Sequence, residues 1–180
     1  MDFGLSEDQV LLDETLRSFL ADQVPIERVR ELREESCPNH RDIWKRLAAL
    51  GATGVLVPES YGGSELALLD AVVVSQALGH AVTPSPFLSS AILATVSLRE
   101  LSHEAIPGWL GGIASGDLIF GVAVTELFSL REKAGIQIED GKLRGKAMMA
   151  FDSCNADFIL IGVDSTTLAV IRREAEGVEI

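Results

Sequence analysis

A chain of 180 residues, 47% of them apolar, is long enough to bury a core and to form one domain or a large domain with part of a second. Its net charge of −12 argues against nucleic acid and anionic membrane surfaces, because both are bound through clustered lysines and arginines. The longest nearly uncharged stretch, residues 81–98, is broken by prolines, and the acidic N-terminus lacks the basic start of a secretory signal. We therefore expect no membrane insertion, no export and a cytoplasmic location.

Helical periodicity dominates the first 50 residues. Ser6 and Gln9 have the spacing of a capping box, which predicts that a first helix begins there. Its buried side is predicted to carry four apolar residues, Leu12, Leu16, Phe19 and Leu20. Apolar residues at three- and four-residue steps predict two more helices, over 26–35 and 40–50.

The segment 50–63, reading LGATGVLVPESYGG, predicts a buried connection. Gly51 follows the last apolar residue of the third helix, which is typical of a helix end. Pro58 and the glycine pair at 62–63 can continue neither a helix nor a central strand. The extended apolar segment between these signals must therefore lie against packed structure.

Three further helices are predicted over 66–78, 86–100 and 103–115. The first has a predicted buried stripe of Leu68, Leu69, Val72, Val73 and Leu78. The second is apolar on almost every side, which indicates a central rather than a peripheral position. Gly116 ends the third, and we place the boundary between two domains, 1–116 and 117–180, at this glycine.

Short runs rich in β-branched and aromatic residues follow Asp117. They cover 118–124, 135–138, 142–148, 158–163 and 167–172. Asp140 and Gly141 supply the positive φ values of a hairpin turn. The sequence therefore predicts an α+β protein, with an all-α helical bundle followed by an incomplete antiparallel β barrel or sandwich. The open sheet edge indicates either a partner that covers it or a fragment.

The cysteines and histidines indicate no metal site. Cys37 and Cys154 are far apart and no Cys-x-x-Cys motif occurs, so we expect two ordinary reduced thiols. The histidines at positions 40, 80 and 103 lack the spacing of metal ligands. His80 follows Gly79 at a helix end, where a capping role is expected.

The order of several motifs resembles the acyl-CoA dehydrogenase family. These motifs are the opening FGLSEDQVLLDETLRSFL, PESYGG, the Leu-Gly pair at 78–79, GVAVTE at 121–126, and the GKLRGK…AD framework at 141–157. Their order and spacing across nearly all of the chain support the resemblance more than any single motif does. The resemblance implies the family's N-terminal helical domain and most of its middle β domain, without its C-terminal domain. In the family the helix that corresponds to 86–100 walls an acyl-chain pocket, a role that is compatible with a central position.

The resemblance also implies a chemistry. Family members remove two hydrogens from the α and β carbons of an acyl-CoA thioester, with FAD as the hydride acceptor. Their carboxylate base lies in the third domain, so we assign no catalytic residue here. The family's flavin-contacting Thr-Glu-Pro segment places Val124 and Thr125 as cofactor-binding residues. Leu127 replaces the proline, and the Gly-Ser-Asp that usually follows is absent.

A second flavin-contacting segment of the family reads aromatic-Ile-Thr-Asn, and it aligns with residues 149–152. Here Met149 replaces the aromatic ring and Phe151 replaces the hydroxyl. Together with the hydroxyl of the absent Gly-Ser-Asp, two hydrogen bonds and one aromatic stack to the flavin are lost. This loss weakens FAD binding by roughly 3 kcal/mol, or about two orders of magnitude in affinity. We therefore expect the chain alone to bind FAD weakly or not at all. Alternatively, Thr125 caps its own strand, and Met148 and Met149 are core residues.

Three functional hypotheses follow from the resemblance. The first is FAD-dependent α,β-dehydrogenation of an acyl-CoA thioester, in fatty acid or lipid catabolism. The second is a non-catalytic or truncated subunit, which forms a homo- or hetero-oligomer with a fuller, catalytic family member. The third is a helical module that only binds acyl-CoA.

Overall fold

The computed structural model describes residues 4–34, 37, 40–124 and 135–180. Its helices are α1 (Glu7–Gln23), α2 (Ile26–Arg33), α3 (Arg41–Ala49), α4 (Leu68–His80), the π-helix Phe87–Ala94, α5 (Thr95–Arg99) and α6 (Ile106–Ala114). The predicted helices are therefore confirmed, with small shifts at their ends. The helix predicted over 86–100 consists of the π-helix and α5, which follow each other without a break.

The start of α1 confirms the predicted capping box. Ser6 Oγ accepts a hydrogen bond from the Gln9 backbone N–H at 3.2 Å, and Gln9 Oε1 accepts one from the Ser6 N–H at 3.1 Å. The Gln9 side chain also donates to Asp70 Oδ1 at 2.9 Å. Because Asp70 Oδ2 accepts from the Ala67 N–H at the start of α4, one carboxylate links the ends of two packed helices.

The predicted buried face of α4 is partly wrong. Leu68, Leu69 and Val72 are exposed. The buried side consists of Ala71, Val73, Val74, Ala77 and Leu78. Since α4 is apolar on most sides, periodicity alone could not select the face that packs, and the small residues on the observed face suit the close contact with α1.

The connection between α3 and α4 is buried, as predicted. Gly51 ends α3 with a φ of 77°, and residues 52–57 are all buried. Thr53 Oγ1 donates to the Ala114 carbonyl at 2.8 Å, which fixes the connection to α6. A Cβ on Gly63 would lie 2.0 Å from the Val57 carbonyl oxygen, so only glycine fits this turn.

The strands of the second part are β1 (Phe120–Ala123), β2 (Gly135–Glu139), β3 (Lys142–Lys146), β4 (Phe158–Gly162) and β5 (Leu168–Arg172). Within the described ranges they form two sheets, ordered β1-β4-β5 and β2-β3, and no closed barrel. The α+β class is confirmed. The expectation of wholly antiparallel pairing is wrong at one pair, because β1 and β4 are parallel. The long connection between them lets the chain return in the same direction, which a hairpin cannot do.

The turn between β2 and β3 is the predicted Asp-Gly hairpin. Asp140 and Gly141 have φ values of 52° and 72°, and Glu139 pairs with Lys142 across the turn. These two positive φ values are those of the two-residue turn that matches strand twist.

A single cluster of buried residues extends from the helices into the sheet, from Leu16 to Ile161. Trp44 of α3 is fully buried, and its indole N–H donates to the Leu118 carbonyl at 3.2 Å, next to β1. The helical and β parts therefore share one core, and the domain boundary at Gly116 stays a prediction. No helix in the described part of the chain is both long and apolar enough to cross a bilayer.

Candidate functional site

One of the two predicted cofactor-binding residues, Val124, lies where β1 ends. Val124 follows the last residue of β1 and is half-buried, with its side chain packed against the core. Thr125 and Leu127 lie outside the described residues. Both interpretations of Thr125, as a flavin contact or as a cap for its own strand, therefore stay predictions.

The second predicted flavin segment lies directly against β1. The Val122 N–H donates to the Phe151 carbonyl at 3.0 Å, and the Phe151 N–H donates to the Val122 carbonyl at 2.9 Å. This antiparallel bridge directs Val124 and Met149 toward the same end of β1. The fold thus brings together the two segments that the resemblance connects with the flavin.

Gly121 makes this approach possible. A Cβ at position 121 would lie 2.8 Å from Ser153 Cα and 3.1 Å from the Phe151 carbonyl oxygen. A side chain there would push the segment 151–153 away from β1. A glycine inside a strand pattern is the sequence signal for such close backbone contact, and the motif GVAVTE contains it.

The side chains of this segment are open to solvent. Met148, Met149 and Phe151 are 36%, 56% and 41% exposed, so the alternative that the methionines are core residues is wrong. Met149 and Asp152 have φ values of 56° and 51°, an unfavourable conformation for residues with a side chain. We call Met148, Met149 and Phe151 the open apolar patch. It offers apolar and thioether contact to a flat or flexible ligand.

The π-helix holds the opposite side of the segment in place. Ser89 Oγ donates to Asp152 Oδ2 at 2.5 Å, and Ser90 Oγ accepts a hydrogen bond from the Phe120 N–H at 3.1 Å. Thr95 Oγ1 donates to the Ser90 carbonyl at 3.0 Å. Because Ser89, Ser90 and Thr95 are fully buried, these bonds position β1 and Asp152 firmly. Sequence reasoning missed both serines, because it predicted an ordinary helix here and gave no sign of a π-helix. Such π-helical turns often occur at functional sites.

His40 is a buried histidine whose protonation is influenced by Asp152. Its side chain is buried, and its Nδ1 has no hydrogen-bond partner within the described residues. Burial lowers the pKa of His40 below its ordinary value of 6.5, while the Asp152 carboxylate acts in the opposite direction. His40 is therefore predominantly neutral in the folded protein at neutral pH.

A cavity of about 570 Å³ lies beside the 3₁₀ helix Ser153–Asn155, and neither Val124 nor Met149 lines it. Cys37 and Cys154 are joined by a disulfide at its wall, with their Cα atoms 5.9 Å apart. The expectation of two reduced thiols is therefore wrong. The two cysteines meet because Cys37, which lies between α2 and α3 in the sequence, is beside the 3₁₀ helix, a contact that sequence spacing does not reveal.

Comparison with known proteins identifies the family. The protein-family model for the N-terminal domain of acyl-CoA dehydrogenases matches residues 6–117. The chain belongs to the acyl-CoA dehydrogenase family.

Individual relatives agree with this assignment. The chain is 36% identical to acyl-CoA dehydrogenase FadE27 of Mycobacterium tuberculosis, over 54% of this chain and 26% of the relative. It is 28% identical to the mitochondrial isovaleryl-CoA dehydrogenase of Pongo abelii, over 93% of this chain and 42% of the relative. The ChsE4–ChsE5 complex from Mycobacterium tuberculosis contains a chain with the same fold, with a TM-score of 0.84 and 27% identity, over 98% of this chain and 50% of that one. This chain therefore spans half the length of these relatives or less.

Proposed function

We propose that this chain supplies one wall of a flavin site for the α,β-dehydrogenation of an acyl-CoA thioester. The observation that supports this most directly is the Val122–Phe151 backbone bridge, because it joins the two segments that contact flavin in the family. Val124 and the open apolar patch would then face the ring system. FAD, when bound, supplies the hydride acceptor for the β hydrogen.

The residues present fit part of such a site. The open apolar patch can pack against a flat ring, and Ser89 holds the neighbouring Asp152 in position. Met149 and Phe151 nevertheless stand where the family has an aromatic ring and a hydroxyl, so we infer weak binding of FAD by this chain alone.

We assign the carboxylate base to another part of the assembly. In the family it belongs to a third domain, and within these 180 residues we assign no catalytic residue. It would come from a fuller family member that joins this chain in a homo- or hetero-oligomer. The exposed Leu68, Leu69 and Val72 of α4 support this second hypothesis, because exposed apolar clusters often mark protein interfaces. The match to a chain of the ChsE4–ChsE5 complex supports it as well.

The expected cytoplasmic location has no support from the cysteines. The Cys37–Cys154 disulfide is more typical of proteins in oxidising compartments.

The flavin wall is tested by restoring the two side chains that the family has at this segment. In the double variant M149F/F151T, we expect the affinity for FAD, measured by flavin fluorescence, to rise by about tenfold to a hundredfold over the unchanged chain. I138T, which alters another exposed apolar residue, on β2, serves as the control and should leave the affinity unchanged. An unchanged affinity in M149F/F151T would remove the patch from the flavin site.

A further inference from the structure

The cavity beside the disulfide is not used by the proposed dehydrogenase function. Cys37 and Cys154 are both half-buried and both line this space of about 570 Å³. A small solute that enters the cavity therefore comes next to the disulfide-bonded residues. Disulfides in such positions are open to attack by thiolates, whereas fully buried ones are protected.

The cavity lining is positively charged. Its residues include three arginines, Arg41, Arg172 and Arg173, and two acidic residues, Asp157 and Glu174. This excess of positive charge stands on a chain whose net charge is −12. The lining thus attracts anions that the rest of the chain repels.

Two of these arginines are suited to an anionic ligand. The Arg172 guanidinium lies over the Phe158 ring, 5.5 Å from its centre, which holds the charge at the cavity wall. Arg173 Nε is buried and has no hydrogen-bond partner in the described part of the chain. A buried donor without a partner is costly, and Arg173 lines the cavity, where a shift of its side chain would let an anion satisfy the donor. Arg41, in contrast, is paired with Asp157 at 2.7 Å.

We propose that this cavity is a thiol–disulfide exchange site for small thiols that carry an anionic group. The thiolate of the ligand attacks one cysteine sulfur, the Cys37–Cys154 bond breaks, and a mixed disulfide forms while the other cysteine leaves as a thiolate. A second ligand thiolate then attacks the mixed disulfide. It releases the two ligands as a symmetric disulfide and leaves both cysteines reduced. The arginines stabilise the bound anion and the departing thiolate.

The exchange would alter the contact between the helical part and the sheet. The disulfide links Cys37, between α2 and α3 in the sequence, to the 3₁₀ helix Ser153–Asn155. Cys154 is two residues from Asp152, the residue that Ser89 anchors beside the open apolar patch. The disulfide therefore lies directly beside the segment that carries the proposed flavin wall.

Three thiols with the same two-carbon skeleton test the proposal. They are 2-mercaptoethanesulfonate, 2-mercaptoethanol and cysteamine, which carry a negative, a neutral and a positive end. At equal thiolate concentrations, intact-mass spectrometry of the oxidised chain measures the rate at which each forms a mixed disulfide. We expect the sulfonate to react at least about tenfold faster than cysteamine. In R172Q/R173Q this preference should disappear, whereas R30Q/R144Q, which removes two exposed arginines outside the cavity, should keep it.

The opposite order of rates would overturn the proposal. If the net charge of the whole chain governed the reaction, cysteamine would react fastest and the sulfonate slowest. That order, equal rates, or two free thiols in protein purified without a reductant would each contradict an exchange site for anionic thiols. If R172Q/R173Q does not fold, salt replaces it. Added salt must then slow the reaction of the sulfonate with the unchanged chain more than it slows that of 2-mercaptoethanol, because the sulfonate thiolate carries two negative charges and the 2-mercaptoethanol thiolate carries one.

Discussion

Arg41, the first residue of α3, and Asp157, which precedes β4, form an ion pair of 2.7 Å that connects the helical part to the sheet. The second oxygen of Asp157 accepts a hydrogen bond from the Ile119 N–H at 2.8 Å. Arg41 also donates to the Asn155 carbonyl at 3.0 Å. One carboxylate therefore fixes α3, the approach to β1 and the start of β4 at a single point.

Asn at position 157 keeps the shape of the side chain and removes its charge. We expect D157N to lower the free energy of unfolding by about 1–3 kcal/mol, because Arg41 and the Ile119 N–H lose a charged acceptor. Chemical denaturation measures this loss. D140N is the matched control, since Asp140 lies exposed in a hairpin turn whose positive φ asparagine also adopts. Equal losses in the two variants would show that the ion pair contributes nothing specific.

Gly63 is expected to tolerate no side chain. A Cβ there would lie 2.0 Å from the Val57 carbonyl oxygen, so G63A must displace the backbone of the buried connection. We expect a loss of at least about 2 kcal/mol in unfolding free energy. G108A provides the contrast, because Gly108 lies within α6 with no atom within 4 Å of the added Cβ. That variant should be neutral or stabilised by up to about 1 kcal/mol. Thermal melts that rank the two variants in the opposite order would contradict the described turn.

His40 should make stability depend on pH. Because burial lowers the pKa of His40 from 6.5 in the folded state, the unfolded chain takes up the proton first as the pH falls. The stabilising contribution is complete above pH 6.5, and it is lost as the pH falls from 6.5 toward the lowered pKa of the folded state. In H40Q the free energy of unfolding should change less steeply over this interval. Denaturation curves recorded at several pH values would refute this if both proteins gave the same slope.

Local patterns predicted most of the elements. The capping box of Ser6 and Gln9 and the Asp140-Gly141 turn involve residues within three positions of each other, so the sequence contains the whole interaction. The parallel pairing of β1 with β4 and the exposed face of α4 depend on contacts between distant parts of the chain. Periodicity reports which residues are apolar and not which neighbour covers them.

The candidate site was predicted in the same uneven way. The resemblance located Val124 and residues 149–152, but only the fold joins them, through the Val122–Phe151 bridge. The bond from Ser89 to Asp152 and the Cys37–Cys154 disulfide connect residues that are 63 and 117 positions apart. No local pattern encodes contacts over such separations. The prediction for Thr125 falls outside the described residues and is still open to test.

The visible absorption spectrum of the purified chain, alone and co-expressed with a full-length acyl-CoA dehydrogenase, tests the central claim most directly. We expect the chain alone to be nearly colourless. Per molecule of full-length partner, the complex should contain more flavin than the partner purified alone. The additional flavin absorbance should bleach when acyl-CoA is added without oxygen. Flavin content that does not increase when the chain is present, or the absence of a complex, would contradict the claim that this chain forms one wall of a flavin site.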